Sequence, residues 1–159
     1  MKNELQIDHL DRQILSILTR DARIPFLEVA RMCNISGAAV HQRVQRLIRL
    51  GIISGSRFNV DPKKLGFKTC AFVGIFLDNA ALFNNVYEKL AMISEITQCH
   101  YITGQYAMFV EVYARDNEHL RVILADKIQA IKGVSRTETF ISLDILFDRQ
   151  LPVTDTPVS

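Results

Sequence analysis

The order of patterned segments between Lys68 and Phe147 leaves this chain few folds to choose from. Lys68–Leu77 (KTCAFVGIFL) is rich in β-branched and aromatic residues and reads as a strand. Asn79–Ile93 carries a helical period, and Ile96–Thr103 and Ala107–Tyr113 are two further strands joined at Gly104-Gln105-Tyr106. Asp116 can cap a helix reaching about Ile131, with Gly133 as its stop, and Val134–Phe147 is one long strand or two broken ones. Strand, helix, strand, strand, helix, strand is the split βαβ, or ferredoxin-like, arrangement. The expectation is therefore an α+β domain at residues 68–150, with 151–159 (LPVTDTPVS) as a disordered tail.

That fold makes a further demand. Two helices cover only one face of a four-stranded sheet. Yet CAFVGIF is apolar on both faces, and Met108-Phe109-Val110 is nearly so. Ile141, Leu143 and Ile145 alternate with Ser142 and Asp144, which predicts one apolar and one polar face in the last strand. An apolar face of that size is costly to leave in water, so a second copy of the chain is the expected cover, giving a homodimer.

The first sixty residues follow another rule. Leu10, Ile14, Ile17 and Leu18 share one face of a helix opened by Asp8 or His9. Pro25 suits the first turn of a second helix, with Phe26, Leu27, Val29, Ala30 and Met32 as its apolar positions. After a short turn at Asn34-Ile35, Ser36 caps a third helix that Gly51 ends. Three short helices with a tight turn before the last predict a helix-turn-helix domain at 1–60. Ile52–Val60 would serve as a small wing or a linking strand. The turn-rich residues 61–67 form the expected linker.

Charge separates the halves. Residues 1–60 hold nine Lys/Arg against five Asp/Glu, and residues 61–159 hold ten against twelve. No acid occurs from Val29 to Val60, a span that contains Arg31, Arg43, Arg46, Arg49 and Arg57. A local acid-free basic segment points to a polyanionic partner better than a net charge of only +2 does. At about 100° per residue, Val40, Val44, Leu47 and Ile48 form the stripe that packs inward. Ala38, His41, Gln42, Gln45, Arg46 and Arg49 fall opposite. Gln, Arg and His hydrogen-bond base edges and phosphates, and the small Gly37 and Ala38 allow close approach at the helix start. The expected double-stranded DNA contacts are therefore Ser36, Gly37, Ala38, His41, Gln42, Arg43, Gln45, Arg46, Arg49 and Arg57. Arg43 lies at the edge of the apolar stripe. It either anchors a phosphate or pairs with an acid of the first helix such as Asp11.

Other classes find less to stand on. Cys33, Cys70 and Cys99 are odd in number and widely spaced, which argues for reduced thiols over a disulfide framework or a zinc site. No apolar run approaches the ~18 residues of a membrane span. The start, MKNELQIDHLDRQIL, lacks the apolar block of a secretory signal, so a cytoplasmic protein without membrane partners is expected. No nucleophile–base pair, paired carboxylates, metal cluster or phosphate loop stands out, and the expectation is a non-enzyme without cofactor or metal.

LDRQILSILTRDAR, FLEVARMCNIS, VHQRVQRLIRLGIISG, DPKKLG, ITGQYAMFVEV and IKGVSRTET, in this order, resemble the Lrp/AsnC (feast/famine) family of transcription regulators over about residues 8–148. The resemblance implies a plain or winged helix-turn-helix followed by a ferredoxin-like effector domain. It implies dimers that assemble into octamers, with small effectors, often amino acids, bound between dimers. The family's effector turn usually reads Gly-Asp-Tyr-Asp; here Gly104-Gln105-Tyr106-Ala107 keeps the glycine and the aromatic and lacks both acids. The implied effector contacts are Thr103, Gly104, Gln105, Tyr106 and Ala107, with Gln129, Thr137 and Thr139 as further pocket walls. A different ligand from the usual amino acids, or none, stays open. Two alternatives accompany this reading. One is a haem-precursor decarboxylase, since some such enzymes resemble the family; it would draw on His100, Arg115 and Arg121. The other is an architectural DNA-organising protein.

Overall fold

A computed structural model of the chain describes residues 7–153. It divides into two compact units, one running up to Phe58 and including the residues from Phe147 onward, the other spanning Asn59–Leu146. Most of the tail expected at 151–159 lies outside the described residues.

The first unit holds α1 (His9–Leu18), α2 (Phe26–Cys33) and α3 (Gly37–Arg49). Asp8 and Asp11 close a capping box on α1: the Asp8 carboxylate accepts from the Asp11 N–H at 2.7 Å, and the Asp11 carboxylate from the Asp8 N–H at 3.2 Å. Pro25 is the residue before α2 rather than its first member. Asn34 ends α2 in the left-handed region, at φ 54°, where Asn is tolerated far better than a β-branched residue. That bend sets the turn into α3, which Ser36 caps through a bond from the Ala39 N–H. Ile14, Val29, Ala30, Cys33, Val40 and Val44 form the shared core, with Leu15 and Leu47 also buried. Three positions expected inside are exposed. Leu27 and Met32 face outward on α2 because the inward stripe runs through Val29, Ala30 and Cys33. Ile48 is exposed because Leu47 takes the last core position of α3. Residues 52–60 form no strand, so the expected wing is absent: Ser54-Gly55-Ser56 interrupts the run, and Gly55 at φ 149° leaves the ordinary β region.

In the second unit a sheet of order β2-β3-β1-β4 is antiparallel at every step. Its strands are β1 (Thr69–Leu77), β2 (Ile96–Tyr101), β3 (Met108–Ala114) and β4 (Val134–Ser142). One face packs on α4 (Phe83–Ala91) and α5 (Asn117–Val122), around Val73, Ile75, Val86, Leu90, Val110, Ile123 and Ile128. Beyond α5 the helix continues as a π-helical segment, Ile123–Ile128, rather than as the regular helix expected to Ile131. Ile123 and Ile128 are both fully buried. Five residues apart, they would point well away from each other on an α-helix, and the wider turn brings both inward. The last strand stops at Ser142, so Leu143 and Ile145 do not extend its alternation; both are exposed.

Candidate nucleic-acid interface and effector pocket

Along α3 the exposed side chains are Ala38, His41, Gln42, Gln45, Ile48 and Arg49, with Ser36 exposed just before it. They recur at three- and four-residue steps and so form one stripe. His41 lies against the ring of Phe26 on α2, centroids 6.0 Å apart. Gln42 and Gln45 carry carboxamides, whose paired donor and acceptor match an adenine edge. Arg57 is exposed beyond the helix.

The remaining two arginines of α3 behave differently. Arg43 donates through Nη1 to Asp8 Oδ2 and to Asp11 Oδ1, both at 2.7 Å. Arg46 donates through Nη1 to Asp11 Oδ2 at 2.9 Å. Asp11 is fully buried, and a buried carboxylate needs such partners. The Asp8 carboxyl is pushed up by desolvation, but the Asp11 N–H and the Arg43 guanidinium outweigh this and its pKa is lowered. Arg43 thus takes the structural half of the alternative left open for it, and Arg46, expected opposite the core, sits on the same flank. Ile7, Asp8, Ala39, Gln42, Arg43, Arg46 and Arg49 line a concavity of about 960 Å³ beside the helix.

In the second unit Thr103, Gly104, Gln105, Tyr106 and Ala107 form the loop between β2 and β3. With Phe76, Leu77, Ala80, Phe83, Tyr101 and Ile102 they line a cavity of about 780 Å³. Gly104 holds φ at 117°, a conformation that L side chains rarely adopt. No lining residue is charged. Gln129, Thr137 and Thr139 do not line this cavity. Gln129 Nε2 donates to Thr137 Oγ1 at 2.8 Å. Thr137 and Thr139 pair with Ile75 and Val73, which puts them on the helix-covered side of the sheet.

Tyr106 leaves the loop and lies across the open face of the sheet. An ideal Cβ on Gly74 would stand 2.6 Å from its ring, so only glycine leaves room for it there. The Tyr106 hydroxyl donates to Glu138 Oε2 at 2.6 Å, and that bond raises the tyrosine pKa. Glu138 also pairs with Arg136 at 3.2 Å, and Arg136 sits 4.0 Å over the Phe76 ring. From Tyr106 a run of rings continues through Phe109 to Phe72 and Phe140, with centroids 5.9 to 6.4 Å apart. Farther along the same face Glu111 accepts from Thr97 Oγ1 at 2.5 Å and from Tyr113 OH at 3.3 Å. Burial foremost, then the neighbouring Cys70 and Glu111, raises the Tyr113 pKa. Sequence reasoning missed Gly74, Phe76, Phe83, Tyr101, Arg136 and Glu138. The signal for Gly74 was present, since an isolated glycine inside a strand marks close approach by another group.

His100, Arg115 and Arg121 do not form a cluster of mutual hydrogen bonds. His100 meets Gln98 at 3.1 Å, Arg121 pairs with Glu118 at 2.6 Å, and the Arg115 N–H donates to His119. Cys33 is buried, Cys70 half-buried and Cys99 exposed, all as free thiols. Among the described residues no helix is long and apolar enough to cross a membrane.

Comparison with known proteins adds the wider context. The AsnC-type helix-turn-helix domain matches residues 7–48, and the Lrp/AsnC ligand binding domain matches residues 70–152. The regulatory protein AsnC of Haemophilus influenzae is 39% identical over 137 residues, 86% of this chain and 91% of that protein. The solved structure of AsnC from E. coli superposes with a TM-score of 0.88 at 37% identity, covering 92% of this chain and 99% of the other. A feast or famine regulatory protein from M. tuberculosis, solved in complex with L-methionine, superposes with a TM-score of 0.86 at 27% identity, covering 92% and 99%.

Proposed function

Because the chain belongs to the Lrp/AsnC family of transcription regulators, we propose that it reads specific DNA sequences with the exposed stripe of α3 and answers to a small effector held by the 103–107 loop. Ser36, Gly37 and Ala38 approach the backbone at the helix start, His41, Gln42 and Gln45 meet base edges, and Arg49 and Arg57 meet phosphates. Arg43 and Arg46 contact DNA from the flank of the helix, where their carboxylate partners hold them. A single helix makes few contacts and binds weakly, so two copies, joined through the aromatic sheet face, present two helices to two half-sites. The dimers assemble further into octamers, with the effector between dimers.

The single observation that carries this reading is the acid-free stripe of α3, presented to solvent after a tight, capped turn. For the effector, an amino acid or related metabolite has support from the relative complexed with L-methionine. The uncharged lining of the cavity favours a ligand with a neutral side chain, its ammonium and carboxylate being met by loop backbone or by a neighbouring copy. The relatives carry regulatory names, and no catalytic step is assigned to the chain.

The test is binding of the full chain to a labelled duplex from its own promoter region across a salt series. The logarithm of the affinity should fall linearly with the logarithm of salt, by ~0.9 for each phosphate neutralised. Absence of binding at low salt would remove the proposal.

A further inference from the structure

Two of the three arginines of α3 are held by acids of another helix, an odd arrangement for a surface that meets a polyanion. Asp11 lies at the centre of it. It is 0% exposed, its Oδ1 receives Arg43 at 2.7 Å, and its Oδ2 receives Arg46 at 2.9 Å. Asp8, the residue that caps the start of α1, adds a second bond to Arg43 at 2.7 Å. The Nη1 corner of each guanidinium faces the carboxylates, while the side chains of Arg43 and Arg46 remain 30% and 42% exposed. Both line the concavity beside Gln42 and Arg49. A guanidinium has five donors in a rigid fork, so it can be held at one corner and offer others to a phosphate.

We propose that Asp11, assisted by Asp8, is a positioning residue for DNA recognition: it holds Arg43 and Arg46 on the flank of α3 and restrains their attraction to DNA of arbitrary sequence. Two consequences follow from its placement. A guanidinium already paired with a buried carboxylate gains less from a phosphate, because the two anions share it. Affinity for unspecific DNA, which rests on phosphates, is thereby lowered, while base contacts from Gln42 and Gln45 are untouched. The pairing also removes the rotamer freedom of two long side chains before DNA arrives, so a matched duplex meets guanidinia already in place. The net effect is a wider gap between matched and unmatched DNA. This inference rests on α3 being the reading helix.

The experiment uses the full chain and two labelled duplexes, one enriched from a random library by the wild-type protein and one of scrambled sequence. Affinities for both are followed across a salt series by fluorescence anisotropy. Asp11→Asn should strengthen binding to the scrambled duplex at low salt and steepen its salt slope by ~0.9 for each additional phosphate neutralised. The ratio of matched to scrambled affinity should shrink, and Asp11→Glu should restore part of it. A folded Asp11→Asn variant with an unchanged slope and an unchanged ratio would overturn the proposal, because a purely structural acid weakens both duplexes alike. Should Asp11→Asn fail to fold, Asp8→Asn stands in for it. Asn serves as well as Asp at a helix start, so that variant keeps the cap while removing a charge from Arg43. It should steepen the slope by ~0.9, and no change would count against the proposal. Failure of the underlying reading looks different: Gln42→Ala with Gln45→Ala would then leave the wild-type ratio intact.

Discussion

Gly74 illustrates how much one missing side chain can position. Its place in the middle of β1 lets the Tyr106 ring lie flat against the sheet and reach Glu138, so the loop that lines the cavity is fastened to the open face. Gly74→Ala puts a methyl 2.6 Å from that ring, closer than real Cβ contacts come, and the ring must leave. The expected result is a loss of about 1–3 kcal/mol of stability in thermal or denaturant melts, together with loss of the Tyr106–Glu138 bond. Tyr106→Phe, which keeps the ring and deletes the hydroxyl, should cost less. Equal stability of Gly74→Ala and wild type would contradict the packing described here.

At the level of elements, the π-helical segment after α5 is tied to the start of β2. Glu95 receives Lys127 at 2.6 Å and lies 3.5 Å from His119. The Lys127 bond lowers the Glu95 pKa below its ordinary 4.5, against the opposing effect of burial. A depressed carboxylate pKa contributes stability that is present above 4.5 and is lost as pH falls through the lower, folded value. Glu95→Gln should therefore lower Tm at neutral pH and flatten its decline in the acid range, as thermal melts at a series of pH values would show. An unchanged acid limb would count against the pairing. The elements also show what was legible beforehand. The caps Ser36 and Asp116 and the stop Gly51 were, because they act locally, whereas the helix expected to stop at Gly133 already ends at Ile128. The inward stripe of α3 was legible through Val40, Val44 and Leu47, while Ile48 was misplaced because Leu47 already takes the last core position. The π-helical turn was not legible: its cause is the need to bury Ile123 and Ile128 together, a tertiary demand. The partners of Arg43 and Arg46 were half legible, since one acid-free helix says nothing of acids 32 to 35 residues earlier.

For the whole molecule, two surfaces carry the account. One is the open face of the sheet, where Phe72, Phe109 and Phe140 run on from Tyr106, opposite the face that packs on α4 and α5. Its apolar character was readable from CAFVGIF, which is too uniform for a strand with a wet side. If a second copy covers it, Phe109→Glu or Phe140→Glu should shift the protein toward monomer in light scattering and weaken DNA binding with it. A variant that keeps the wild-type mass would place the contact elsewhere. The other surface is the exposed stripe of α3, and the central claim is that this stripe reads DNA. The most direct measurement is the affinity of Gln42→Ala with Gln45→Ala, beside wild type, for a duplex enriched by the wild-type protein and for a scrambled one. Neither side chain is buried, so the double variant should fold normally. The expected loss is about 2 kcal/mol or more on the enriched duplex, roughly thirtyfold, with little change on the scrambled one. Undiminished affinity and preference for the enriched duplex would contradict that claim.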